Sequence, residues 1–288
     1  MVTRGYFRYR MITNQFARFA FLAASLFGLL VLFVLLYRVI EQGAGWLNSG
    51  FLTGRLSTQP DQAGIKGAVF GTLWLMAVVI PLTTMVGVGT AIYLEMYAKK
   101  GKLRGLIQTN IANLAGVPSI VYGILGMTLF VRALDFGNIV LAGGLTMSLL
   151  VLPIVIVSSQ EAIRAIPSFL GEASYGLGAT KWQTIKSVLL PVALPSMLTG
   201  SILALSRAIG ETAPLVVIGI PALLLPIPMN IFDKFTVLPM QIYYWTIDSS
   251  LLAEYANLAA ATIIVLLTIL FLLNATAIII RNKFEQRF

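Results

Sequence analysis

Two opposite charges lie within one of the longest apolar stretches of this 288-residue chain. Arg207 and Glu211 fall inside the run Val192–Leu225, and Arg207 comes about 22 Å along a helix that begins at Val192, near the middle of a bilayer. An arginine at that depth costs about 2.5–3.5 kcal/mol on insertion scales and by default marks a functional site. Because residues four apart share a helix face, the two side chains are expected to lie side by side.

The chemistry expected of this pair is the recognition of a tetrahedral oxyanion. The planar guanidinium of Arg207 matches two oxygens of such an anion. Glu211 keeps the unoccupied site near neutrality and can accept a hydrogen bond from a protonated oxyanion, which hydrogen phosphate is at neutral pH and sulfate is not. The adjacent Ser206 and Thr212 complete the predicted substrate pathway. A buried ion pair that only fixes helix packing is the alternative that the residues leave open.

The elements that must position these residues are membrane helices. The chain is 58% hydrophobic and only 11% charged, whereas soluble domains carry about 25% charged residues. It contains no cysteine and no histidine, which excludes disulfides, the usual zinc sites, and Cys, Ser–His or histidine-relay chemistry. A membrane enzyme therefore lacks a plausible catalytic constellation, and we predict neither a catalytic residue nor a metal ligand.

Six segments reach the roughly 20 apolar residues that a membrane helix needs. They are Phe19–Tyr37, Ala68–Leu94, Leu106–Val131, Phe136–Ser159, Val192–Leu225 and Tyr255–Ile280. Only Arg132–Asp135 separates the third from the fourth, which predicts a tight helical hairpin. The chain is thus predicted to be an all-α membrane protein with six transmembrane helices in one domain, 19–280, flanked by tails 1–18 and 281–288.

Several prolines lie inside the predicted spans, among them Pro81, Pro118, Pro153 and Pro214. Kinking of a continuous helix is the expected effect at Pro81 and Pro153, since membrane helices tolerate proline where other groups satisfy the freed carbonyls. Pro214 biases Ala213 away from helical geometry, so the fifth helix is expected to loosen just beyond Glu211.

The basic residues fall unevenly on the two sides of these spans. Of the 20 Lys and Arg residues, fourteen lie on the side of the termini and five on the other, with Arg207 inside a span. By the positive-inside rule both termini are therefore predicted to be cytoplasmic. This distribution accounts for the net charge of +9 without a nucleic-acid partner.

A polar segment, residues 161–191, separates the fourth span from the fifth on the predicted cytoplasmic side. Pro167-Ser168 is a suitable start for a short helix over Phe169–Leu177, and Gly178 can adopt the left-handed conformation that ends it. Thr180-Lys-Trp-Gln183 has the spacing of a capping box and predicts a second helix. The segment is expected to form a helix–turn–helix projection with a glycine corner.

This projection has the residue types of a docking surface for another protein. Phe169, Leu170 and Leu177 offer apolar surface, and Glu172 and Lys181 offer charges that can set the register of a contact. An ordinary interfacial helix on the lipid surface is the alternative.

The spacing of this segment carries a family resemblance. Glu172-Ala173-Ser174, then Gly178, then Val188-x-Leu190-Pro191 resembles the cytoplasmic motif of bacterial ABC-importer permeases, Glu-Ala-Ala-x3-Gly-x9-Ile-x-Leu-Pro. The defined positions of that motif are all in register, with serine and valine as conservative departures. The resemblance implies a coupling helix that docks into a cleft of an ATPase. The chain has no Gly-x4-Gly-Lys-Ser/Thr nucleotide loop, so Mg-ATP is expected on that separate subunit and no cofactor on this one.

Three further stretches narrow the resemblance. Arg207–Pro214 and Asn113–Gly123 look like signatures of phosphate-importer permeases, and Leu238–Tyr243 resembles the PstA type. The resemblance implies the type I ABC-importer permease fold, transport by alternating access, and a place in the bacterial inner membrane. It also implies a PstC-like permease as heterodimer partner, a PstB-like ATPase dimer and an extracytoplasmic PstS-like phosphate-binding protein.

Other transport functions remain open at this point. One is an ABC permease for another oxyanion, such as sulfate or molybdate. Another is a stand-alone secondary transporter or channel, which would favour an inverted repeat between the two halves. The stretch Glu172–Pro191 has no counterpart in the first half, which disfavours that class.

Overall fold

The computed structural model describes residues 4–221 and 226–284, and its architecture is helical. The main helices are α1 (Arg4–Gly43), α2 (Lys66–Ile92), α3 (Lys102–Ala115), α4 (Ser119–Gly126), α5 (Val140–Arg164), α6 (Ser168–Gly176), α7 (Lys181–Gly210), α8 (Ala213–Ile218), α9 (Leu238–Asp248) and α10 (Glu254–Phe284). Short helical turns cover Ala44–Trp46, Ser49–Thr53 and Pro60–Gln62. π-helical stretches extend α2 over Tyr93–Tyr97 and α4 over Met127–Ala133, and one lies within α7 at Ile185–Leu189.

The helices α1, α2, α5, α7 and α10 are each long and apolar enough to cross a membrane. The pair α3–α4 passes the same test only when it is taken together, and it is bent by 102°. The part of the chain that the structure describes therefore holds five candidate spans, or six with the bent pair, in agreement with the predicted all-α membrane fold. The predicted tails, 1–18 and 281–288, are helical where they are described, since α1 begins at Arg4 and α10 ends at Phe284.

The third predicted span, Leu106–Val131, is wrong as a single straight helix. The chain breaks at Gly116–Pro118. In a continuous helix residue 118 would donate its N–H to the carbonyl of Leu114, but a proline has no N–H. That carbonyl accepts hydrogen bonds from the backbone N–H of Val117 at 3.1 Å and from the hydroxyl of Tyr122 at 2.8 Å, so a side chain of α4 ties the two sides of the bend together.

The fifth predicted span is also broken, near the position where loosening was expected. Helix α7 ends at Gly210. In a continuous helix the Gly210 carbonyl would accept a hydrogen bond from the N–H of residue 214, but that residue is a proline and has no N–H. Helix α8 then ends at Ile218, and the following Gly219 has a φ of +78°. The predicted end of this span, Leu225, lies outside the described residues. Pro81 and Pro153, by contrast, lie inside continuous helices as predicted.

The two broken helices pack against each other. A Cβ atom added to Gly123 in α4 would lie 2.8 Å from the Cα and 2.9 Å from the carbonyl oxygen of Pro214 in α8. Only a glycine therefore allows the two backbones to approach this closely. The segment that follows Arg207 and Glu211 is held in place by this contact.

Helix α5 is the centre of the bundle. It packs against α2, α3, α4 and α7, and 67% of its most apolar stretch is buried within the chain. Its Met147, Val151 and Val155 join Leu215 and Ile218 of α8 in the main apolar cluster. Helix α1, in contrast, packs mainly against α10 and has none of its most apolar stretch buried.

The fourth span starts later than predicted, and the connection before it matches the predicted hairpin. Phe136–Ser159 was expected, and α5 covers Val140–Arg164. Asp135 and Gly137 have φ values of +53° and +70° in the turn, and α4 packs against α5 after the chain reverses.

The loop 226–254 contains a helix of its own. This helix, α9, packs against α10 and buries Trp245. Before α9, the carbonyls of Ile231 and Asp233 accept hydrogen bonds from the backbone N–H groups of Leu141 and Val140 at 2.9 and 3.1 Å. The loop thus satisfies N–H groups that the first turn of α5 leaves without an intrahelical acceptor.

The Gly123–Pro214 contact predicts a specific sensitivity to a single methyl group. Gly123→Ala places a Cβ against backbone atoms that cannot rotate away, so we expect a loss of about 1–3 kcal/mol in the free energy of unfolding. Thermal unfolding of the purified chain in detergent would measure this loss. Gly28→Ala is the matched control, because nothing lies within 4 Å of a Cβ there and alanine is the better helix former. Equal stability of the two variants would contradict the packing described.

Candidate functional site

Arg207 lies in the last turn of α7 with its side chain exposed, on a face that also exposes Leu203 and Gly210. The ion pairs found within residues 4–221 and 226–284 join other residues. The alternative of a buried Arg207–Glu211 pair is therefore not what the structure shows. A cation in the last turn also interacts favourably with the negative end of the helix dipole.

Glu211 is the first residue beyond the helix, and the predicted shared helix face is wrong. Its backbone is extended, with φ −80° and ψ 122°, because α7 ends at Gly210. The side chain is half-buried. Arg207 and Glu211 thus lie on either side of a helix break, one on the rigid helix and one on the irregular segment.

Ser206 is engaged within the chain. Its Oγ lies 2.6 Å from Oδ1 of Asn274 in α10 and 2.7 Å from the carbonyl oxygen of Ile202. Arg281 of α10 donates to Thr199 Oγ1 of α7 over 3.4 Å, so polar contacts at two levels join these helices. Sequence reasoning missed Asn274, for which an amide inside an apolar span was the available signal.

Thr212 occupies the position before α8. Its carbonyl accepts hydrogen bonds from the N–H groups of Leu215 and Val216, both at 3.0 Å. Within the described part of the chain its half-buried hydroxyl has no hydrogen-bond partner. The break therefore presents a guanidinium, a carboxylate and a hydroxyl from residues close in sequence, groups that suit a hydrogen-bonding anion.

The local geometry predicted for the 161–191 segment is confirmed. Helix α6 begins at Ser168, and the corner contains Gly178 with a φ of +83°. Thr180 and Gln183 form the capping box: the Thr180 N–H donates to Gln183 Oε1 over 2.8 Å, and the Gln183 N–H donates to Thr180 Oγ1 over 3.4 Å.

The second helix of this projection and the fifth span are one continuous helix. Helix α7 covers Lys181–Gly210, 30 residues, without interruption. Pro191 has no N–H to donate to the carbonyl of Ser187. The π-helical stretch Ile185–Leu189 lies just before it, where the series of backbone hydrogen bonds adjusts to that missing donor. At 1.5 Å per residue, Lys181 and Arg207 are about 39 Å apart along a single helix.

The outer face of the projection is available for a contact. Phe169 and Leu177 are 61% and 90% exposed. Glu172 and Ala173 are also exposed, and Leu170 is half-buried. This face combines large apolar side chains with a carboxylate, as the sequence predicted.

Ser174 and Lys181 point elsewhere. Ser174 is buried, and its Oγ lies 2.9 Å from Thr184 Oγ1, which fastens α6 to α7 across the corner. The Lys181 ammonium lies 4.8 Å from the centroid of the Tyr97 ring. Neither Thr184 nor Tyr97 was anticipated from the sequence, since nothing local marks them as partners.

Comparison with known proteins agrees with this architecture. The model of the family described as binding-protein-dependent transport system inner membrane component matches residues 83–288. The phosphate transport system permease protein PstA of Yersinia pestis is 31% identical over 291 residues, covering 96% of this chain and 92% of its own. PstA 1 of Mycobacterium tuberculosis is 36% identical over 215 residues, covering 73% and 70%.

Solved structures show the same fold. The chain matches a bacterial ABC transporter involved in the import of alginate with a TM-score of 0.63 at 12% identity, covering 96% of this chain and 99% of the other. It matches the inward-facing MetNI methionine ABC transporter with a TM-score of 0.61 at 19% identity, covering 77% and 96%.

Proposed function

The chain belongs to the family of binding-protein-dependent transport system inner membrane components, and we propose that it is the permease subunit of an ATP-driven importer of inorganic phosphate. The observation that carries the proposal is the exposed guanidinium of Arg207 at a break inside a membrane span. Relatives named phosphate transport system permease protein PstA, 31–36% identical, support phosphate as the anion.

The position of Arg207 also supports a second permease subunit. An arginine facing hydrocarbon near the bilayer centre costs about 2.5–3.5 kcal/mol, so the face of α7 that carries it must meet protein or water. A PstC-like permease packed against this face would enclose a pathway between the two subunits. This chain then forms half of the pathway, and Arg207 grips phosphate through two oxygens as it passes.

Coupling to ATP hydrolysis follows from the rigidity of α7. A PstB-like ATPase dimer binds Mg-ATP and docks against the face formed by Phe169, Glu172 and Leu177. Closure of that dimer displaces the 161–191 segment, and α7 carries the displacement to the break at Gly210. Arg207 is thereby exposed to one side of the membrane at a time, which is alternating access.

The remaining parts of the assembly follow from topology. The excess of Lys and Arg beside the 161–191 segment and the termini supports a cytoplasmic location for all of them in a bacterial inner membrane. A PstS-like phosphate-binding protein then delivers its ligand on the opposite side, where the loop 226–254 lies.

The bidentate role of Arg207 predicts the effect of Arg207→Lys. Lysine keeps the charge but loses the planar fork, so we expect uptake of radiolabelled phosphate to fall at least about tenfold. Arg38→Lys, at an exposed arginine near the end of α1, is the matched control and should leave uptake unchanged. Normal uptake with Arg207→Lys would contradict the bidentate contact.

The carboxylate at the break predicts the anion selectivity. Glu211→Gln removes the charge that repels fully ionised sulfate and weakens the acceptor for a phosphate hydroxyl. We expect phosphate uptake to fall by more than any sulfate leak does, so the rate of phosphate uptake divided by that of sulfate uptake decreases about tenfold. An unchanged ratio, measured with both anions in the same proteoliposomes, would show that selectivity lies elsewhere.

The corner predicts an uncoupled variant. Gly178 has a φ of +83°, and a β-branched residue there is strained by roughly 1–2 kcal/mol. Gly178→Val should reach the membrane and assemble, but transport less phosphate per ATP hydrolysed. Gly101→Val is the control, because Gly101 is extended, with a φ of −178°, and has open space around it. A wild-type amount of phosphate transported per ATP in Gly178→Val would show that the corner takes no part in coupling.

A further inference from the structure

The π-helical turn Tyr93–Tyr97 carries a nearly buried carboxylate with several donors. The Glu95 side chain is 8% exposed. Its Oε2 accepts from Arg104 Nη2 at 2.8 Å, and its Oε1 accepts from Arg164 Nη2 at 2.7 Å and from Gln160 Nε2 at 2.8 Å. These donors belong to α3 and α5, so one carboxylate joins three elements.

A cluster of this kind fixes how the helices pack against one another more than it adds to the free energy of unfolding. Removing one partner of a nearly buried charge pair leaves the other charge without compensation. When all partners are present, their attraction and hydrogen bonds offset the free-energy cost of removing the charges from water. Arg104 is 14% exposed, so it would keep little water if Glu95 were neutral. A small apolar cluster of Leu94, Ile111 and Ile156 lies at the junction of the same three elements.

The same turn touches both ends of the projection that α6 forms. Arg164 is the last residue of α5, and α6 begins at Ser168. Lys181 is the first residue of α7, and its ammonium lies over the ring of Tyr97, 4.8 Å from the centroid. The chain therefore leaves the bundle beside Glu95 and returns to it beside Tyr97.

We propose that the turn Tyr93–Tyr97 anchors the base of the 161–191 segment to the transmembrane helices, with Glu95 as the positioning residue. The inference rests on the proposed function. Because both ends of the projection are attached at one turn, a displacement imposed on α6 reaches α2, α3 and α5 together with α7. Without the anchor, the displacement reaches α7 alone while α2, α3 and α5 do not follow, so less phosphate is transported for each ATP hydrolysed.

The first test is Glu95→Gln in the assembled transporter in proteoliposomes. Glutamine keeps the shape and loses the charge, so phosphate transported per ATP hydrolysed should fall at least about tenfold, while ATP hydrolysis itself persists. Glu161→Gln is the matched control: Glu161 accepts from the same Arg164 at 2.8 Å, but its side chain is 64% exposed, and the ratio should stay at the wild-type value. A wild-type ratio in Glu95→Gln overturns the proposal.

A second pair of variants decides the question if the Glu95→Gln complex does not assemble. Tyr97→Ala removes the ring beneath Lys181, and Tyr97→Phe keeps it. We expect phosphate transported per ATP hydrolysed to fall about threefold in Tyr97→Ala and to stay at the wild-type value in Tyr97→Phe, because a cation–π contact needs only the ring face. Equal ratios in both variants overturn the anchor.

A third measurement separates the anchor from the identity of the substrate. The chain has no cysteine, so Gly176→Cys gives a single attachment site for a spin label on α6, in open space. The label should become more mobile in the Glu95→Gln background and not in the Glu161→Gln background. That result holds whichever anion is transported, whereas absence of phosphate uptake by the wild type would refute the proposed function alone. Unchanged label mobility overturns the anchor.

Discussion

The structure depends on a constraint of the backbone: inside a bilayer every N–H and C=O needs a partner, and proline supplies no N–H. At Pro118 and Pro214 the helices stop, and new helices begin beside them. At Pro81 and Pro153 they continue. Two tertiary contacts hold the broken segments: the Tyr122 hydroxyl bonds the Leu114 carbonyl at the first break, and Gly123 lets the two interrupted segments pack together.

Helix α7, which ends at the second break, joins the two regions to which we assign proposed roles. Helix α7 is unbroken from Lys181 to Gly210, so the corner at one end and Arg207 near the other belong to one rigid element. The capping box at Thr180 and the bond between Ser174 and Thr184 fix how α6 meets that element. In the proposed mechanism, a movement at the corner is therefore conveyed along one continuous helix.

Glu95 and Arg207 differ in burial and in the number of partners within the chain. Glu95 is nearly buried and receives three strong donors from neighbouring helices, as expected for a group that fixes an arrangement. Arg207 is exposed and is left without an ion pair by the described residues of its own chain. A charge that a membrane protein leaves unpaired inside a span is available to something outside the chain, which is why Arg207 supports a transport role and Glu95 a positioning role.

The sequence by itself determined the class of protein, the number of spans and the shape of the 161–191 segment. These are local properties: hydropathy is summed over neighbouring residues, and Gly178, Thr180 and Gln183 act within one turn of each other. Only the tertiary structure decided that Leu106–Val131 is bent, that Glu211 lies beyond the end of α7, and that α9 packs against α10 and buries Trp245. It also placed Tyr97 beneath Lys181 and Asn274 beside Ser206. Those contacts join distant parts of the chain, and their partners are set by helix packing, which no local pattern of residues encodes.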